Sequence, residues 1–127
     1  MSRTEGRTDG APLPAGPYSQ SVRIGDLVAA AGQVDISPGG TTVDGVGAQT
    51  RQALANVAEV LAASGAGMDD VITMRVFLTD PSQFEEMNEV YAGAFNAPYP
   101  ARTTVYVGLP DGFLVEIDPL AVVGRST

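Results

Sequence analysis

From residue 46 to 64 the apolar positions keep a helical spacing: Leu54, Val57, Ala58 and Leu61 fall at i, i+3, i+4 and i+7. Arg51, Gln52, Asn56 and Glu59 occupy the other face, and Gly65 supplies a stop. A second helix begins at Asp80-Pro81, an N-cap followed by proline at the first helical position, with Gln83 spaced for a capping box. Its apolar stripe is Phe84, Met87, Tyr91 and Phe95. Elsewhere the pattern is that of strands. Residues 21–24 and 27–34 flank a tight Gly25-Asp26 turn, and 71–78 alternates, with Ile72, Met74, Val76 and Leu78 on one side. Strands over 101–107 and 113–123 follow, joined by "GLPDG", while "DISPGGTTVDG" reads as loop. Residues 1–16 are polar and rich in glycine and proline, which predicts a flexible N-terminal arm before a single domain over 17–127.

The order β-β-α-β-α-β-β predicts an α+β fold: a mostly antiparallel sheet with two helices packed on one face. No element remains to cover the other face, so oligomerisation is expected.

Composition narrows the chemistry. The 127 residues contain no cysteine and no histidine, and all 7 basic residues are arginine. Thiolate nucleophiles, zinc–thiolate sites, histidine bases and lysine Schiff bases are therefore excluded. Any catalysis falls to Asp, Glu, Arg, Tyr, Ser, Thr, Asn and backbone groups. A net charge of −8 opposes binding to nucleic acid or to an anionic membrane surface. A small anionic metabolite remains compatible, because one arginine in a pocket can dominate locally. There is no apolar run of membrane-spanning length and no signal-peptide core, so a cytoplasmic location is expected.

Four polar residues stand in apolar surroundings. Asn88 borders the stripe of the second helix, where it either bonds a neighbouring loop or lines a site. Glu116 lies between Val115 and Ile117, on the parity of Leu114, Leu120 and Val122. A carboxylate there pairs with an arginine such as Arg75, or is neutralised and tuned for acid–base work. Arg102 heads the strand "ARTTVYV", either reaching solvent or serving as a fixed cation in a pocket. Tyr18, in "GPYSQ", is a packing aromatic or a hydrogen-bonding one.

The segments "AGPYSQSV", "AAAGQV", "QTRQALANVAEVLAASG", "MNEVYAGAF", "PARTTVYV" and "VEIDPLAVV" occur in the order of the Rid family, also called YjgF or L-PSP. The resemblance spans nearly all of residues 12 to 123 and identifies the chain as a member of these reactive-intermediate deaminases. It implies a chorismate-mutase-like fold, a homotrimer with an inner barrel, and pockets in the clefts between subunits. It also implies hydrolysis of 2-imino or enamine acids to 2-keto acids and ammonia, without metal or cofactor. By the same resemblance Arg102 holds the substrate carboxylate and Glu116 activates water, with Tyr18, Ala31, Gly32, Asn88 and Thr104 completing the pocket.

Some positions depart from the family pattern. Ala31 stands where a serine is frequent, and Thr104 where a cysteine is common. The "GLPDG" connection is one residue short. If 101–107 and 113–123 pair as a hairpin, a four-residue loop over 109–112 sets Glu116 opposite Val105, out of phase with Arg102. A longer loop or a bulge restores a shared face. Two other functions remain open: a non-catalytic trimer that binds a small carboxylate, and the endoribonuclease activity associated with some relatives.

Overall fold

The computed structural model describes residues 2–37, 44–110 and 112–124. Parts of the expected loops over 35–45 and 109–112 therefore lie outside the described residues. The order is β1 (Thr4–Gly6), β2 (Ser21–Ile24), β3 (Leu27–Ala30), α1 (Val46–Ala62), β4 (Val71–Leu78), α2 (Phe84–Ala92), β5 (Ala101–Tyr106) and β6 (Val115–Val122), with short 3-10 turns before β4 and α2. The strands form one sheet, β1-β2-β3-β6-β4-β5, in which only β4 and β5 run parallel. Two helices on one face of a mostly antiparallel sheet is the expected fold class. It arises because α1 and α2 each carry one apolar stripe.

The core lies between that sheet face and the helices. Val28, Met74, Val76, Leu78, Val115, Ile117 and Ala121 from the strands meet Leu54, Val57, Leu61, Met87 and Tyr91 from the helices. Asp80 accepts from the Ser82 amide, and the Gln83 side chain accepts from the Asp80 amide, so the expected capping box forms. Gly65 adopts φ 82°, a left-handed conformation that suits the stop after α1. A Glu86 carboxylate oxygen accepts from the Gly47 amide in the first turn of α1, joining the two helices.

Three expectations need correction. The N-terminal segment is not a free arm: β1 pairs with β2, and Ala11 is buried. Gln20 explains this, since its buried amide donates to the carbonyls of Thr8 and Pro12. Asn56 does not face solvent. It is buried and donates to Val34 and Ile36 carbonyls at 2.9 and 2.8 Å, which pins the segment after β3. Finally, β5 and β6 do not pair with each other; β4 lies between them.

That last difference has a physical origin. The α2 crossover carries the chain from β4 to a parallel neighbour, β5, on the outer edge. The following segment then crosses back to the inner edge of β4. Gln49 of α1 holds this return by donating to the Gly112 carbonyl and accepting from the Leu114 amide, each at 2.8 Å.

Candidate active site

β4 governs where the chemistry goes, because its residues alternate between the two faces of the sheet. Met74 and Val76 point into the core, and in register beside them on β5 stand Arg102 and Thr104. Arg102 and Thr104 therefore face the helix side, at the sheet edge. There the guanidinium carbon of Arg102 sits 4.7 Å from the ring centroid of Tyr91 and 5.6 Å from that of Phe84. Asn88 lies between these aromatics on α2. It is more exposed than its place beside the apolar stripe suggests, and it walls a cavity of about 450 Å³ with Tyr91, Ala92, Tyr99, Pro100 and Arg102. Arg102 makes no ion pair among the described residues. Burial pushes the Tyr91 phenol above its ordinary pKa, with the charge of Arg102 opposing.

Glu116 belongs to the opposite face. Its partner across the ladder is Phe77, which alternates with the core residues Val76 and Leu78. The ion pair with Arg75 does not form. Arg75 instead grips Asp118 with two bonds of 2.9 Å, and Asp118 shares the face of Glu116. Burial, then the negative charge of Asp118, raises the pKa of Glu116. The carboxylate rests against the backbone of Gly32, where an added methyl would stand 2.8 Å from its Cδ. Gln33 and Ile117 fix this approach by exchanging backbone hydrogen bonds of 2.8 and 2.9 Å. Close by, Tyr18 and Ala31 line a cavity of about 380 Å³ that also takes in Arg3 and Ser21. The Tyr18 hydroxyl accepts from the Ala15 amide, and its ring remains exposed.

The sequence-predicted residues thus form two groups, Arg102, Asn88 and Thr104 on one face and Glu116, Gly32, Ala31 and Tyr18 on the other. The hairpin-register question dissolves, since each strand takes its phase from β4. Within one chain the arginine and the glutamate stand on opposite faces of the sheet. Tyr91 escaped the sequence reading because it looks like a core residue. Its place three positions after Asn88 was the available signal.

Residues 8–123 match the family profile described as Endoribonuclease L-PSP. The chain belongs to the Rid (L-PSP) family. A RutC family protein from Pyrococcus horikoshii is 44% identical over 90% of this chain and 93% of its own. The 2-iminobutanoate/2-iminopropanoate deaminase of Salmonella typhimurium is 38% identical over 96% of this chain and 98% of its own. The crystal structure of E. coli TdcF with bound serine superposes with a TM-score of 0.90 at 38% identity, covering 97% of this chain and 99% of that one. Among the described residues of this Rid-family chain, no group of three His, Cys, Asp or Glu side chains is placed to hold a metal.

Proposed function

We propose that this Rid-family chain hydrolyses 2-imino acids to 2-keto acids and ammonia. In this reading it works as a homotrimer, with pockets formed between subunits. The observation that carries the reading is the division of the site. One face holds Arg102, which has no carboxylate partner among the described residues, and the other holds Glu116 with its perturbed carboxylate, where the neighbouring Arg75 is taken by Asp118. A cleft between copies brings them together. The open sheet face supports assembly: Leu27 and Val105 are exposed apolar residues on it, in line with Val122 and Phe77 across the ladder.

In such a cleft the planar fork of Arg102 holds the substrate carboxylate by two parallel hydrogen bonds. Glu116, as carboxylate, takes a proton from water as the oxygen adds to the C=N carbon. It then gives the proton to the nitrogen of the resulting carbinolamine. The C–N bond breaks, Glu116 takes the hydroxyl proton as the carbonyl forms, and ammonia leaves with the electron pair of that bond. Holding water, base and iminium carbon together supplies most of what this undemanding hydrolysis requires. The Salmonella deaminase, similar along nearly its whole length, supports the reaction class.

A second reading, a trimer that only binds small carboxylates, is favoured by the serine in the TdcF structure. RNA cleavage fits poorly with a charge of −8 and no histidine or lysine. The deciding experiment is ammonia release from freshly generated 2-iminobutanoate. Acceleration by the wild type, lost in Arg102→Ala and Glu116→Gln, is expected. Binding of 2-oxobutanoate by a folded trimer that does not accelerate release would select the binding reading instead.

A further inference from the structure

We propose that Tyr91, with Phe84 beside it, is a positioning residue that sets the plane of the Arg102 guanidinium for a substrate carboxylate. This rests on the deaminase reading and deepens it. Arg102 projects from an edge strand, half buried, with no ion pair among the described residues. An arginine side chain so placed has about 2 kcal/mol of rotamer entropy to lose before it can act as a fixed fork. A carboxylate neighbour would restrain it only by occupying the donors the substrate needs. An aromatic face restrains it without using them, because the contact engages the π surface and leaves the in-plane N–H groups available.

The distances of 4.7 Å to Tyr91 and 5.6 Å to Phe84 lie within the roughly 6 Å reach of such contacts. Helical spacing places Phe84, Asn88 and Tyr91 at i, i+4 and i+7, so one face of α2 offers two rings to Arg102, and Asn88 and Tyr91 line the cavity beside it. The Tyr91 ring is itself immobilised. It is 4% exposed and packs on Phe95 with ring centroids 5.0 Å apart. Its hydroxyl has no hydrogen-bond partner among the described residues, so the role belongs to the ring.

The test has two arms. In the ligand-free protein, the Arg102 Nε–Hε resonance, identified by its loss in Arg102→Lys, is expected upfield from the aromatic ring current. It should stay there in Tyr91→Phe and move toward the free-arginine position in Tyr91→Leu, where only the Phe84 ring remains. A wild-type resonance already at the free position overturns the proposal. The second arm keeps the ring volume nearly constant by placing phenylalanine and its mono-, di- and trifluoro analogues at position 91. The Kd for 2-oxobutanoate and the KM for 2-iminobutanoate should rise stepwise, by about five- to thirty-fold across the series, with kcat changing less than about threefold. Melting temperatures should stay level. A flat series in an active enzyme overturns the positioning role, whereas a wild type that neither binds nor hydrolyses overturns the deaminase reading itself.

Discussion

Alanine at position 32 should separate activity from stability. The added methyl would stand 2.8 Å from Cδ and 3.0 Å from Cγ of Glu116. Ordinary carbon contacts begin near 3.4 Å, so the carboxyl carbon must retreat by at least about 0.6 Å (3.4 − 2.8), and the nearer oxygen by more. Misplacing a reacting group by about 1 Å can cost about 100-fold, equivalent to about 2.7 kcal/mol of barrier. Stability should behave differently. The φ of Gly32 is not in the left-handed region. Alanine therefore fits the backbone and narrows the unfolded ensemble, an effect of about 0.4–1 kcal/mol in favour of folding. The obstructing atoms end a flexible side chain that can swing aside. The measurements are kcat/KM for 2-iminobutanoate by ammonia release and the urea midpoint of the same preparation. A folded Gly32→Ala protein within threefold of wild-type kcat/KM would refute the reasoning.

Glu116→Gln should abolish hydrolysis yet melt at a higher temperature than the wild type at pH 8. Because the folded pKa of Glu116 is raised, its contribution to stability is present below the unfolded pKa and is lost as pH rises through the folded one. The difference in melting temperature should therefore vanish near pH 4, as differential scanning calorimetry would record. In the wild type, the acid limb of kcat/KM should lie above the ordinary glutamate value of about 4.3. Asn56→Ala should destabilise by about 1–2 kcal/mol in urea titrations, because it removes the donor from two half-buried carbonyls. An unchanged midpoint would mean that the segment after β3 is held by other contacts.

Most of the fold was legible because its signals are local. The period of 3.6 in α1, the alternation of β4 from Met74 to Leu78 and the Asp80-Gln83 capping box are each written within a few residues, whereas Ile72, expected beside Met74, is exposed because a bulge between Val71 and Thr73 shifts the phase. Arg102 and Glu116 were legible for a related reason, since a charge in an apolar run announces itself. What escaped were long-range relations. Nothing near residues 101–123 says that β4 will lie between the last two strands, because the decision rests with the α2 crossover and with Gln49, more than 60 residues earlier. Asn56 looks solvent-facing until the segment after β3 folds across it. The docking of residues 4–6 depends on the buried amide of Gln20, which looks like an ordinary polar residue from sequence.

The placement of β6 also bears on how the protein is made. It follows the other five strands in sequence, yet it lies between β3 and β4. While the ribosome is still delivering residues 115–122, the unit formed by β1, β2 and β3 and the unit formed by β4 and β5 have no strand to join them. Val28, Met74 and Val76 then lack Ile117 and Ala121 as neighbours. The nascent chain spends its synthesis without the strand that completes the core, and the step that closes the sheet comes after release of that strand from the exit tunnel.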